Sequence, residues 1–159
     1  MVARFVPIVH IVAAVFAIIE LGLTAYVSSG YSSVFGFGGY SPSRVNFMIF
    51  NSVWSLLVLA YVGLTPLYLT SIFHKLAALA LNILTTIFWF AGSIALAVWI
   101  GGPRHCYGNS YCGSTEAAVV FGFFLWLLFM FLTVLDAIEA MRSRGHGATP
   151  KNTNAYAGA

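Results

Sequence analysis

Charged side chains are scarce in this sequence: seven lysines and arginines and four aspartates and glutamates make up 7% of the 159 residues. An average soluble domain carries about 25% charged residues, so a chain of this composition could not cover the surface of a soluble fold. Hydrophobic residues instead reach 60%. The composition therefore predicts an integral membrane protein.

Patterns typical of catalysis and of nucleic-acid binding are also missing. The basic residues are too few and too scattered to form a nucleic-acid-binding patch, although the formal charge is +3. The sequence has no glycine-rich phosphate loop and no nucleophile–base spacing, and its polar segments are too short to build a site. We therefore predict that the protein is not an enzyme, needs no cofactor and does not bind nucleic acid.

One uncharged stretch stands out. Leu76–Ile100 holds 25 residues without a charge, more than the roughly 20 that cross a hydrocarbon core. Ala91 and Ala95 are spaced four apart with Gly92 beside them, and small residues at this spacing let a neighbouring helix approach closely in lipid. The stretch is predicted to be the central helix of a membrane bundle, with these three residues as packing positions.

Four apolar stretches predict an all-α membrane protein, an up-down bundle of four transmembrane helices. The predicted spans are about 5–27, 44–64, 72–100 and 116–140. Together they form one domain, 1–141. Residues 28–43 are rich in glycine, serine and tyrosine, and residues 101–115 hold both cysteines, so each segment is predicted to be a loop. Residues 142–159 are polar and small, which predicts a disordered cytosolic tail.

The lysines and arginines predict the orientation of the bundle, because cytoplasmic loops are enriched in these residues. With both termini on one side, that side carries Arg4, Lys75, Arg142, Arg144 and Lys151, and the other side carries Arg44 and Arg104. We therefore predict that both termini are cytosolic. The same orientation puts Cys106 and Cys112 outside, where a disulfide is permitted.

Two interpretations of the cysteine loop differ in strength. A metal site at His105, Cys106 and Cys112 would have too few ligands and too wide a spacing, since structural zinc sites use four ligands with C-x₂₋₄-C spacing. A disulfide between the two cysteines is the favoured interpretation. So small a loop would stabilise the fold by roughly 2–3 kcal/mol on the chain-entropy model.

Three polar residues are predicted to lie at one depth. At 1.5 Å per residue, Glu20, Asn51 and Ser93 each sit about 10 Å below the outer face; we call them the first polar layer. Glu20 is expected to accept a hydrogen bond from Asn51 or Ser93, with Arg44 leaning in from above as an interface anchor. A contact between copies of the chain, or a proton or substrate role, are alternatives for Glu20.

A second polar layer is predicted nearer the cytosol. It comprises His10, Asn82, Thr133 and Asp136, whose depths match when counted from the outer helix ends. A pH-responsive pair of His10 and Asp136 is one interpretation, and ordinary solvation at the interface is the favoured one. Pairing of Asp136 and Glu139 with Arg142 along the surface of the fourth span also suffices to explain these two acids.

The second and third spans carry motifs of a known family. Residues 43–47, Ser-Arg-Val-Asn-Phe, resemble the Ser-Arg-Ile/Val-Asn-Phe signature of fungal MARVEL-domain tetraspan proteins, and residues 74–92 are similar to their third span. The resemblance covers roughly residues 5–140. It departs at Asn82, where relatives often carry aspartate. The resemblance implies a role in organising lipid-ordered domains, membrane furrows, vesicle traffic or export, and it implies no catalytic residues.

These observations together predict a non-enzymatic membrane organiser that packs laterally. Its expected partners are membrane lipids, with sterol and sphingolipid as candidates, and further copies of itself in homo-oligomers or clusters. The expected location is the plasma membrane or secretory and extracellular vesicles. The alternative is a small channel or a proton-coupled transporter that uses Glu20 and His10.

Overall fold

The computed structural model describes residues 6–34, 41–68, 75–101 and 110–146. These residues form four α-helices, which are α1 (Val6–Val34), α2 (Ser43–Tyr68), α3 (Lys75–Ile100) and α4 (Ser110–His146). Each helix contains a stretch long and apolar enough to cross a membrane, namely Val6–Gly30, Ser43–Gly63, Leu76–Ile100 and Ser110–Arg142. The protein is thus an all-α, multi-pass membrane protein with four candidate spans.

Three helix ends differ from the predicted bounds by six or seven residues. Helix α1 continues to Val34 instead of ending at 27, and α4 begins at Ser110 instead of 116. Serine and tyrosine are only modestly unfavourable in a helix and an isolated glycine costs about 1 kcal/mol, so packing of the two helices overrides the loop-like composition. Helix α4 also runs to His146, so the first residues of the predicted tail are helical; residues 147–159 lie outside the described residues.

The ends of α2 and α3 have clear local causes. The carbonyl of Pro42 accepts the first hydrogen bonds of α2, from the backbone N–H groups of Val45 at 2.9 Å and Asn46 at 3.2 Å. Helix α3 stops because Gly101 adopts a left-handed conformation with φ of 77°, which glycine tolerates without steric cost. Its N–H still bonds the Ala97 carbonyl at 3.2 Å, as at many helix C-termini.

The four helices form a closed ring in cross-section. Helix α1 packs against α2 and α4, and α3 packs against the same two helices, so α1 and α3 face each other across the bundle. Consecutive helices run antiparallel, and α1 also runs antiparallel to α4. The start of α1 and the end of α4 therefore lie at the same end of the bundle.

Apolar side chains cover the outside of the bundle and polar side chains are buried within it, as a lipid environment requires. Large apolar side chains are exposed on every helix, among them Ile11, Leu57, Val98 and Val120. The centre holds an apolar core that includes Trp89, Met48, Leu125 and Phe129, but also fully buried polar residues from three of the helices, among them Glu20, Asn51, Ser52, Ser55, Thr85 and Ser93. In a bundle surrounded by lipid, polar groups are better turned toward each other than outward.

Candidate functional site

Two tryptophans join α2 to α3 through hydrogen bonds. The indole N–H of Trp54 donates to Thr85 Oγ1 at 3.0 Å, and the indole N–H of Trp89 donates to Ser55 Oγ at 2.7 Å. Trp89 and Ser55 are both fully buried. The sequence pattern did not predict these two bonds. Serine and threonine on the facing helix, at the depth of each indole, were the signal that was missed.

Asn51 of the first polar layer also joins α2 to α3. Its Nδ2 donates to the backbone carbonyl oxygen of Phe88 at 3.0 Å. A close helix approach brings the amide there, because a methyl group on Gly92 would lie 2.9 Å from Asn51 Nδ2 and 2.8 Å from Met48 Sδ. The Asn51 amide nitrogen is therefore directed at the α3 backbone and not at α1.

The first polar layer is fully buried but is not bonded as predicted. Glu20, Asn51 and Ser93 are each 0% exposed. Both carboxylate oxygens of Glu20, Oδ1 of Asn51 and Oγ of Ser93 have no hydrogen-bond partner in the part of the chain that the structure describes. The prediction that Glu20 accepts a hydrogen bond from Asn51 or Ser93 is wrong, since neither of its carboxylate oxygens has a partner among the described residues.

Contacts with α4 nevertheless place these residues at one height. Two ring contacts align α1 with α4, Phe16 with Phe121 at 5.3 Å between centroids and Tyr26 with Tyr111 at 4.9 Å. Glu20 lies between them and thus opposite the turn of α4 that precedes Gly122. A methyl group on Gly122 would lie 2.6 Å from Ser93 Oγ and 3.0 Å from Met48 Cε. The backbones of Glu20, Ser93 and Asn51 therefore lie within about one and a half helical turns, ~8 Å, of the same level.

Arg44 is exposed in the first turn of α2. Its exposure is the expected property of a side chain at the membrane interface. The inward lean of its guanidinium over the first polar layer stays a prediction. The role of interface anchor stays a prediction.

The second polar layer is bonded across α3 and α4. Asn82 Nδ2 donates to Asp136 Oδ2 at 2.6 Å, and the hydroxyls of Thr86 and Thr133 lie 3.1 Å apart. Each hydroxyl also lies 2.8 Å from a carbonyl of its own helix, so one threonine can donate to its carbonyl while the other donates across to that hydroxyl. Depth arithmetic brought Asn82, Thr133 and Asp136 together, whereas Thr86 was missed.

His10 approaches this layer without a direct bond to it. Its Nδ1 lies 2.9 Å from the backbone oxygen of Val6, one turn earlier in α1. His10 is close enough to Asp136 for a Coulombic interaction, but its buried Nε2 has no hydrogen-bond partner among the described residues. Asn82 is therefore the hydrogen-bond donor to Asp136, and the pH-responsive pair of His10 and Asp136 stays a prediction.

The small residues of α3 divide between two faces. Gly92 is buried against α2, Ala95 is half-buried and Ala91 is exposed. Ala91 faces outward, because one residue turns an α-helix by about 100° and the bundle faces Gly92, so the role of Ala91 as a packing position stays a prediction. Gly122 and Gly30, which the sequence analysis did not single out, also mark close approaches, to Ser93 and to the ring of Tyr111 respectively.

The cysteine loop lies mainly outside the described residues. Cys112 is half-buried in the first turn of α4, within a helix and not in the predicted loop, and it is not a free thiol. His105 and Cys106 belong to the segment 102–109, which is not described, so the pairing of Cys106 with Cys112 stays a prediction. Among the described residues, no group of three or more histidine, cysteine, aspartate or glutamate side chains could hold a metal ion.

Comparisons with known proteins agree with this architecture. The family model of MARVEL, described as a membrane-associating domain, matches residues 3–135. Non-classical export protein 2 homolog 1 of Saccharomyces cerevisiae is 30% identical over 154 residues, which cover 89% of this chain and 84% of that protein. No solved structure gives a significant match.

Proposed function

This chain belongs to the MARVEL family of membrane-associating domains, and on that premise we propose that it is a non-enzymatic organiser of membrane domains or vesicles. The observation that carries the proposal is the distribution of polarity. Polar side chains are buried inside the bundle, while large apolar side chains cover the outside of all four helices. Fewer than ten residues connect each helix to the next. Such a molecule acts through its lipid-facing surface.

The outer face of α3 offers a surface for a second copy. Ile87, Ala91, Ile94 and Val98 are exposed there; we call them the α3 outer face. A small residue among larger apolar ones lets another helix approach closely, and packing of this kind drives helix association in lipid. Ala91, one of the three predicted packing positions, thus supports the lateral homo-oligomers expected for an organiser.

A size measurement tests the lateral contact. In nanodiscs, the wild-type chain is expected to give oligomers, and Ala91→Leu is expected to shift the population to the 17.2 kDa monomer. Ala60→Leu on α2 is the matched control, because Ala60 is also exposed but has no part in the α3 outer face. A wild-type chain that is monomeric at every protein-to-lipid ratio would contradict the proposal.

A second experiment tests what the assembly does. Purified protein is reconstituted into liposomes with and without sterol and sphingolipid, which are then imaged for curvature and clustering while ion flux is recorded in parallel. Deformation or clustering without flux is the outcome expected of an organiser. The yeast relative is named for export, and a place in secretory or extracellular vesicles, or in the plasma membrane, is the corresponding proposal here.

The proposed orientation has both termini in the cytosol. It rests on the excess of lysine and arginine at the end of the bundle where α1 begins and α4 ends. Protease protection of an epitope placed after residue 159 in sealed, right-side-out vesicles is the expected result. Cleavage of that epitope from outside would reverse the topology and, with it, the external position of Cys106 and Cys112.

A channel or transporter is the second candidate, because Glu20 is fully buried and its carboxylate has no described partner. His10 does not belong to the same site, since ten residues of helix separate the two by about 15 Å along α1. Flux through liposomes that is lost in Glu20→Gln would favour this candidate. An unchanged, background-level flux in both proteins would exclude it.

A further inference from the structure

The first polar layer contains more hydrogen-bond acceptors than donors. Two carboxylate oxygens of Glu20 and the amide oxygen of Asn51 are acceptors only, and all three lack a described partner. The Asn51 amide nitrogen already donates to Phe88, so it has turned its oxygen away from α3. The second amide proton of Asn51 and the hydroxyl proton of Ser93 are the donors that remain in this layer, one fewer than the three acceptors.

These groups come from three different helices at neighbouring levels. Glu20 comes from α1, Asn51 from α2 and Ser93 from α3, and each is 0% exposed. The fourth helix contributes Gly122, whose missing side chain leaves room for Ser93 Oγ. Met48, a flexible thioether, is the apolar neighbour that reaches both glycines of this level.

We propose that the first polar layer binds one monovalent alkali cation, with Na⁺ as the reference ion. Its ligands are the carboxylate of Glu20, the amide oxygen of Asn51 and the hydroxyl oxygen of Ser93. Oxygen ligands without sulfur or imidazole suit hard cations. A lone carboxylate at this depth is costly without a compensating positive charge, and the ion supplies that charge.

The charge of the ion follows from the ligand set. One carboxylate and one monovalent ion make a neutral site, whereas a divalent ion would leave a net positive charge among apolar side chains. A proton on Glu20 would neutralise the carboxylate too, but one O–H can satisfy only one of the acceptors. A metal cation engages the carboxylate, the amide oxygen and the hydroxyl together.

Binding of ²²Na⁺ to the purified wild-type protein is the direct test. We expect saturable binding that Li⁺ or K⁺ competes for and that N-methylglucamine does not. Thermal unfolding gives a second readout, with NaCl exchanged for N-methylglucamine chloride at constant ionic strength. Above the dissociation constant, the unfolding temperature is expected to rise by roughly a few degrees for each tenfold increase in Na⁺.

Three variants separate ligation from general packing. Glu20→Gln keeps the side-chain shape and is expected to abolish the Na⁺ response, and Ser93→Ala is expected to weaken binding about tenfold or more by removing a ligand. Ser52→Ala is the matched control. Ser52 is equally buried, but its hydroxyl bonds the Met48 carbonyl of its own helix at 2.9 Å, so the Na⁺ response is expected to persist.

Several outcomes would overturn the proposal. They are an absence of ²²Na⁺ binding by the folded wild-type protein, a Na⁺ response that survives in Glu20→Gln, and stabilisation by acid without any response to Na⁺. The wild-type binding measurement decides the question even where a variant fails to fold. The site is independent of the organiser role, because oligomer size and liposome deformation are measured separately.

Discussion

The two polar layers of this bundle are built from similar residues but are bonded differently. In the second layer, Asn82 donates to Asp136 and Thr86 meets Thr133, so the polar groups of α3 and α4 bond each other. In the first layer, Glu20 and Ser93 have no described partner. A bonded layer fixes helix register, as buried polar residues do elsewhere. A layer of unpaired acceptors is suited to binding a ligand, such as the proposed cation.

The largest expected effect comes from filling the centre of the first layer. Gly122→Ala should lower the free energy of unfolding by about 2 kcal/mol, because the added methyl collides with Ser93 Oγ and overpacking costs roughly 1–3 kcal/mol. Gly22→Ala is the matched control on α1, with nothing within 4 Å of the added methyl. It should raise stability by about 0.5–1 kcal/mol. Denaturant titration in bicelles measures both changes in the free energy of unfolding. Changes of the same sign would contradict the close packing of Gly122 against Ser93.

A pair of double-mutant cycles measures the contrast between the layers directly. Asn82→Ala combined with Asp136→Ala should show a coupling free energy of about 1 kcal/mol, near the upper range of hydrogen bonds measured in membrane proteins. Glu20→Ala combined with Ser93→Ala should show coupling near zero in buffer without alkali cations. Strong coupling of Glu20 with Ser93 under those conditions would mean that the two side chains bond directly.

The smallest effect concerns the threonine pair of the second layer. Thr86→Val should cost about 0.5 kcal/mol, because it removes the contact with Thr133 while keeping the side-chain shape. Thr24→Val is its control, since Thr24 is buried but bonds the Glu20 carbonyl of its own helix at 2.8 Å. If unfolding titrations show a larger loss of stability for Thr24→Val than for Thr86→Val, this would count against a role of the second polar layer in fixing helix register.

The sequence predicted well how deep each polar residue lies in the membrane, but it did not predict which neighbouring helix each side chain faces. Counting 1.5 Å per residue from helix ends placed Asn82, Thr133 and Asp136 at one height, and the structure brings them together. The same count gave Glu20 and Asn51 a common depth, but it carries no information on rotation, and Asn51 faces α3. The count also does not distinguish Ala91 from Gly92, although a shift of one residue separates the inside of a bundle from its outside.

Helix ends and tryptophan partners were beyond the sequence pattern for different reasons. Composition suggested a loop from residue 28, but contact with α4 at Gly30 and Tyr26 extends α1 to Val34. The bond from Trp89 to Ser55 depends on which helices are neighbours. Hydropathy gives the number of spans and the positions of their polar residues. Which helices are neighbours in the bundle depends on packing between spans, which the sequence of one span alone does not determine.

The closed ring of helices has a consequence for biogenesis. Helix α1 enters the bilayer first and carries Glu20 with it, yet one of the two helices that pack against α1 is α4, the last to be synthesised. Until the ribosome has passed residue 146, the acid lacks part of its enclosure and is open to lipid or to an insertion chaperone. A nascent chain truncated before Ser110 would therefore leave Glu20 exposed to membrane quality control, whereas the four-helix chain buries it.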